Sequence, residues 1–93
     1  MTVFAKDPSS EVDFSVDWSD WLVDGEAITS TAWAVAPVEE NGLILGVNVD
    51  NGNARGVYTS GGVRGHRYRL SCLIGTSDNR TAERSLSIRV MEL

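Results

Sequence analysis

The chain is poor in the residue types on which cross-linked scaffolds and many reactive sites depend. Its 93 residues include one cysteine, Cys72, and one histidine, His66. A single cysteine excludes an internal disulfide and with it a secreted disulfide scaffold, so the sequence fits a protein made in a reducing cytoplasm. Cys72 alternates with Leu70 and Ile74 and is expected to be a small buried hydrophobe.

Long apolar runs are also missing. No stretch approaches the roughly 20 apolar residues of a membrane-spanning helix, so no association with a membrane is expected. Residues 1–6 lack the apolar region of a secretory signal. The length predicts one domain with a small core, and 42% hydrophobic with 23% charged residues is typical of a globular protein.

Charge is unevenly distributed along the chain. Residues 1–50 hold ten acidic residues and one lysine, a balance of −9, whereas residues 51–93 hold three acidic residues and seven arginines, a balance of +4; together they give the net charge of −5. The acidic excess argues against binding to nucleic acid, which needs a basic face. Two interpretations remain: acidic and basic strands pair across one sheet, or an acidic and a basic surface meet head-to-tail between subunits, as in a ring.

What the sequence does contain is strand-like alternation, and no segment shows a convincing helical period. Val12, Phe14, Val16 and Trp18 alternate with polar residues, as in a half-buried strand. A second strand is predicted over residues 27–35, with a bulge near Ser30 and an end at Pro37. The third strand is predicted to run through the alternating residues Leu43, Leu45, Val47 and Val49.

Turn residues divide the rest of the chain into further strands. Asp50–Asn53 is predicted to close a hairpin at Asn51-Gly52, because a tight turn with positive φ favours this pair. Strands over 54–59, 66–74 and 81–90 follow, the last with Leu86, Ile88 and Val90 inward and Arg84, Ser85, Ser87 and Arg89 outward. With Val3–Ala5 counted as an extra edge strand, the pattern predicts an all-β immunoglobulin- or fibronectin-like β-sandwich of six to seven strands.

Four large side chains have predicted places in this sandwich. Tyr68 opens the strand after a glycine-rich loop and is expected to be a corner tyrosine whose hydroxyl bonds to nearby backbone. Trp18 or Trp33 is expected at the centre of the core. Trp21 follows in a single helical turn capped by Ser19, and is either a lid over the end of the core or an anchor for another protein.

The sequence offers little support for catalysis, and we expect neither an enzyme nor a cofactor. His66 has no cysteine or histidine partner for a metal and no second histidine to support a triad. The acidic cluster over residues 13–26 fits a solvated strand face better than a catalytic pair. The oxygen-rich turns at 20–26 and 48–52 do not match the spacing of a calcium-binding helix–loop–helix.

The order of several segments resembles a family of small Ig-like virion proteins. The segments that carry the resemblance are Phe4–Pro8, Val12–Leu22, Ile28–Val35, Gly65–Leu70 and Asp78–Val90. They resemble proteins of tailed bacteriophages and prophages labelled fibre–tail adaptor or neck-region proteins. The resemblance implies a non-enzymatic structural protein of the virion that joins neck, tail or fibre proteins as a symmetric oligomer. It also implies synthesis in the cytoplasm of the host bacterium.

An N-terminal docking segment is the expected interface of such an adaptor. Residues 1–10 are predicted to be extended, because Pro8 restricts its own φ and that of Asp7, and residues 11–93 to form the sandwich. Lys6, Asp7 and Pro8 would dock on a neighbour together with Trp21, so deletion of residues 1–8 is expected to leave folding intact and abolish assembly. The alternatives are a capsid decoration protein and a carbohydrate- or cell-surface-binding module, which would need Trp21 and Tyr58 exposed on one face.

Overall fold

Seven β-strands account for most of the chain. The computed structural model describes residues 3–93. The strands are β1 (Val3–Lys6), β2 (Val12–Asp17), β3 (Ile28–Ala36), β4 (Leu43–Asn51), β5 (Ala54–Gly61), β6 (Arg67–Thr76) and β7 (Thr81–Val90). The β-branched and aromatic residues that alternate along these segments fit a pleated sheet with one buried face, which confirms the all-β prediction.

The strands form two sheets that pack face to face. Sheet A has the order β1-β7-β6-β3, and sheet B has the order β2-β5-β4. Strand β1 runs parallel to β7, while the other neighbouring strands are antiparallel. Residues 3–93 contain no helix with the length and apolar character needed to cross a membrane.

Two apolar clusters fill the space between the sheets. One is built around Leu70 and Ile88, and the other around Trp18 and Ile74, each of which is at most 1% exposed. Trp33 is half-buried and contacts both clusters, so it links them. Trp18 is therefore the fully buried tryptophan, whereas Trp33 is the tryptophan that lies between the two clusters. Full burial of side chains of this size stabilises a fold by about 1.5–3 kcal/mol each.

The hairpin between β4 and β5 has its turn one residue later than predicted. Asn51 pairs with Ala54, which leaves Gly52 and Asn53 as the two central residues. Gly52 has φ of +60°, while Asn53 does not adopt positive φ. A type II′ turn requires positive φ at its first central residue, and glycine adopts this φ most easily. Gly52 therefore sets the position of the turn, instead of the Asn51-Gly52 pair that a type I′ turn would use.

Two bulges change which residues face the core. The predicted one is present, since the pairing of β3 with β6 shifts between Ile28 and Ser30. A second lies in β4, where Gly46 and Val47 both oppose Tyr58. Because an extra residue reverses the alternation, Val47 is 74% exposed on the outer surface of sheet B. The prediction that Val47 continues the alternation of Leu43 is therefore wrong.

Strand β7 has the predicted bounds, but Arg84 lies on the opposite face of the strand from the one predicted. Arg84 shares its phase with Leu86 and Ile88, and its guanidinium carbon lies 4.6 Å from the centre of the Trp18 ring. Arg84 therefore covers the end of the core instead of facing outward. Its guanidinium lies over the aromatic ring and is still partly accessible to water.

Candidate protein–protein interface

The N-terminal segment belongs to the sandwich and does not extend from it. Residues 3–6 form β1, which pairs with residues 87–90 of β7. Residues 1 and 2 lie outside the described residues. The boundary predicted at residue 11 therefore does not mark the start of the sheet. The signal available in sequence was the short apolar run of residues 3–5, but nothing local indicates parallel pairing with a strand more than 80 residues later.

The Lys6 side chain is buried within the fold and does not lie on an accessible docking surface. It is 1% exposed, and its ammonium donates hydrogen bonds to the carbonyl oxygens of Asp7, Ser10 and Gly61 at 2.9, 2.7 and 2.8 Å. Burial lowers the pKa of the ammonium, and the Asp7 charge opposes that effect. All three N–H donors are used, so Lys6 holds β1, the following turn and the end of β5 together, and the interface predicted at Lys6 has no free donor there.

Asp7 and Pro8 remain partly accessible at the same end of the sandwich. The Asp7 carboxylate accepts hydrogen bonds from the backbone N–H and hydroxyl of Ser9 and from the backbone N–H of Leu93, and these bonds lower its pKa. Asp7, Pro8 and Ser9 line an open recess with Glu92 and Leu93. The N- and C-terminal segments thus form one surface, in which Asp7 and Pro8 are half-buried.

The segment after β2 forms a compact turn. The backbone N–H groups of Trp21 and Leu22 both donate to the carbonyl of Trp18. The Asp17 carboxylate accepts from the backbone N–H and hydroxyl of Ser19 at 3.0 and 2.7 Å, which lowers the Asp17 pKa. The turn is therefore capped by Asp17, whose carboxylate accepts both of these hydrogen bonds from Ser19. The prediction that Ser19 is the cap is wrong.

Trp21 packs against two of the protein's own side chains, Trp18 and Arg80. Its ring meets Trp18 edge-on at 5.6 Å, and the Arg80 guanidinium carbon lies 3.9 Å from the ring centre. Arg80 also donates to the carbonyl of Trp21. A half-buried tryptophan held in this way covers the end of the core, and such contacts contribute about 0.5–1.5 kcal/mol each.

Glu26 fixes the arginine that covers Trp21. The side chain of Glu26 is fully buried and accepts hydrogen bonds from Arg80, Thr76 and the backbone N–H of Val23. The Arg80 hydrogen bonds lower the Glu26 pKa to about 2 against the opposing effect of burial. Sequence analysis missed this cluster, because its partners are separated by about 50 residues and no local pattern links them.

Tyr68 confirms the predicted corner tyrosine. Its hydroxyl accepts a hydrogen bond from the backbone N–H of Val63 at 2.9 Å and donates to Glu39 at 2.5 Å. Burial raises the pKa of Tyr68, whereas the hydrogen bonds from Tyr68 and His66 lower that of Glu39. His66 lies 2.8 Å from the same carboxylate oxygen, so the single histidine pairs with an acid at the surface.

The two aromatic residues considered for a glycan platform lie in different places. Trp21 packs at the end of the core, whereas Tyr58 is 38% exposed on the outer surface of sheet B, opposite Asp13. They do not form one surface. Residues 3–93 also hold no cluster of three or more potential metal ligands.

Comparison with known proteins identifies the family. A search of curated proteins finds no significant match. Among solved structures, the fold is similar to the solution structure of the PKD domain from KIAA 1837 protein, with a TM-score of 0.54 and 18% identity, over 98% of this chain and 79% of that chain. This similarity supports the Ig-like sandwich. The family model described as podophage GP4 fiber-tail adaptor protein gp77 matches residues 6–89, so this chain belongs to that family of phage adaptor proteins.

Proposed function

We propose that this protein is a non-enzymatic adaptor of the phage neck or tail that attaches fibres or other virion proteins to the tail. The observation that carries the proposal is the family match over residues 6–89, which covers β2 to β6 and nearly all of β7. A fiber-tail adaptor acts in the virion and contacts tail and fibre proteins. Its position at the neck, its copy number and its individual contacts are our proposal.

An accessible recess at one end of the sandwich supports the adaptor role, because another virion protein could bind there. The recess combines the turn after β1, which carries Asp7 and Pro8, with the C-terminal residues Glu92 and Leu93, and neither Asp7 nor Pro8 is fully buried. We propose this recess as a docking site for a tail or fibre protein. Trp21 packs beside Arg80 at the opposite end of β7, so its exposed part would be a separate contact. Lys6 has a supporting role, since it fixes the turn that carries Asp7 and Pro8.

We further propose that several copies of the chain are arranged symmetrically around the tail axis. The protein would be made in the cytoplasm of the host bacterium and join the virion without nucleic acid, membrane or cofactor. The positions of Trp21 and Tyr58 favour an adaptor over a glycan-binding module, because the two aromatic side chains do not share a surface. A capsid decoration protein would instead have a copy number that matches the capsomers.

Assembly of virions without this chain tests the proposal. Deletion of its gene is expected to give particles with filled heads and intact tails that lack fibres, and purified chain added to them is expected to restore fibre attachment. Restoration should fail with D7A/P8A and succeed with the control D24A, which alters an exposed turn. Fibres present on particles made without the chain would overturn the proposal.

A further inference from the structure

The two outer surfaces of the sandwich carry charge of opposite sign. On sheet A, the outward positions of β6 and β7 carry three arginines, which we call the basic face: Arg67, Arg69 and Arg89. On sheet B, outward positions along β2 and just before it carry three acids, which we call the acidic face: Glu11, Asp13 and Asp17. All six are exposed. Part of the charge asymmetry of the sequence is therefore carried by opposite sides of the molecule, while Glu26 and Asp20 pair with Arg80 and Arg84.

The outward acid of sheet A, Glu83, does not neutralise the basic face, because it lies opposite Leu73, two outward positions along β6 from Arg69. Arg67 lies directly opposite Arg89, and the outward neighbours along β3 are alanines. Within residues 3–93, these three arginines form no ion pair, whereas each of the chain's other four arginines does. Like charges at opposing sheet positions destabilise a fold. An acidic partner at this face would offset that cost.

Both faces combine charge with exposed apolar groups. Leu73, 45% exposed, lies four residues along β6 from Arg69 on the same outer surface, and Tyr58 lies opposite Asp13 on the acidic face. The bulge in β4 places Val47 beside Tyr58. Arginine guanidinium groups bind carboxylates and stack on aromatic rings, so the acidic face offers both kinds of ligand that arginines prefer.

We propose that the basic face of one copy of this chain binds the acidic face of the next. Charge complementarity selects a second copy as the occupant, because each molecule presents both members of the pair. The faces lie on opposite sheets, so the contact is heterologous and repeats from copy to copy, and a symmetric arrangement around the tail axis requires that it close in a ring. This inference deepens the proposed function, since it rests on several copies standing side by side in the virion.

Nuclear magnetic resonance of the purified full chain tests the contact at the level of residues. As concentration rises to about 1 mM in low salt, backbone amide shifts are expected on β6 and β7 at the basic face and on β2 at the acidic face. The same shifts should disappear at about 0.5 M salt, because screening shortens the range of surface charges. Shifts that are absent, or confined to one face, would overturn the proposal.

Charge reversal distinguishes the two faces. R67E/R89E and E11K/D13K are each expected to lose at least about tenfold in self-association, whereas an equal mixture of the two regains it, because one variant keeps the acidic face and the other the basic face. The controls R64E and D24K each reverse one charge of the corresponding sign in a loop, away from both faces. They should associate like the parent chain. If a reversed variant does not fold, R67A/R89A and E11A/D13A replace the pair.

Failure of this contact can be told apart from failure of the adaptor role. Fibre attachment is measured on virions, whereas self-association is measured on the free chain. Reversed variants that associate normally overturn the face-to-face contact even if fibres attach. Association that depends on both faces supports the contact even if the particles prove to carry the chain away from the tail.

Discussion

Arg80 links the buried carboxylate of Glu26 to the half-buried ring of Trp21. Its guanidinium donates hydrogen bonds to Glu26, and the guanidinium carbon lies 3.9 Å from the centre of the Trp21 ring. Arg84 acts on the same turn, with hydrogen bonds to the carbonyl of Asp17 and the carboxylate of Asp20. The Asp-Trp-Ser-Asp-Trp stretch that resembles the adaptor family is thus a turn held by two arginines. Its residues are explained by the fold before any partner is considered.

Glu26 gives the fold a dependence on acid. Its folded pKa of about 2 lies below the ordinary value of 4.5, so its contribution to the free energy of unfolding is full above about pH 4.5 and is lost as pH falls toward 2. We expect Glu26→Gln to lower Tm at neutral pH and to flatten the fall of Tm below pH 4.5. Thermal melts across this range check the prediction, with the exposed Glu40→Gln as control.

An unchanged dependence of Tm on pH in Glu26→Gln would contradict the assignment. It would mean that other carboxyl groups carry the acid sensitivity of the fold, and that the Glu26–Arg80 pair contributes little to the free energy of unfolding.

Replacement of Lys6 by methionine is expected to destabilise the chain. The change leaves the carbonyl groups of Asp7, Ser10 and Gly61 without their ammonium donor, which costs about 1–3 kcal/mol for a buried group that loses its partner. The midpoint of urea unfolding measures the effect. Arg64→Met removes one positive charge from an exposed side chain and should leave the midpoint unchanged.

Equal midpoints for Lys6→Met and the parent chain would show that β1 contributes little to folding. The structure leads us to revise the expectation for deletion of residues 1–8. Because this deletion removes both β1 and Lys6, we now expect it to lower stability, and it is not a clean test of docking.

Tyr68→Phe is expected to destabilise the corner of the sandwich. The hydroxyl accepts from Val63 and donates to Glu39, and its removal leaves both without that partner, at a cost of about 1–3 kcal/mol. Each kcal/mol corresponds to roughly 4–8 °C in Tm for a domain of this size. Tyr58→Phe is the matched control, because Tyr58 is exposed and its Tm should not change.

Trp21→Ala tests the lid against the anchor. As a lid, Trp21 contributes its contacts with Trp18 and Arg80, so we expect the free energy of unfolding to fall by about 1–2 kcal/mol. Urea unfolding measures this loss, and pull-down of tail and fibre proteins from disassembled virions measures docking. Unchanged stability together with lost docking would show that Trp21 acts only as an anchor.

Local patterns predicted the strands well because each strand buries one face. The alternation of Phe14, Val16 and Trp18 indicates a half-buried strand directly, and the glycine-rich loop before Tyr68 indicates its corner. The bulge in β4 had a visible signal in Gly46, since a glycine inside a strand pattern often marks a bulge.

Pairings between distant residues could not be predicted from such patterns. Lys6 is a charged residue near the chain start, and its burial depends on Gly61 and on pairing with β7. The role of Arg80 depends in the same way on Glu26, more than 50 residues earlier. Local alternation indicates the face of a side chain where the strand pairing is regular, whereas the partners of that side chain depend on the tertiary structure.

A cryo-EM reconstruction of the intact virion that contains this chain tests the central claim most directly. The account predicts density for the 93-residue sandwich repeated around the tail axis, in contact with both a tail protein and a fibre, with the recess of Asp7 and Pro8 covered by one of them. Density distributed over the capsomers, or a tail whose fibres attach without this chain, would contradict it.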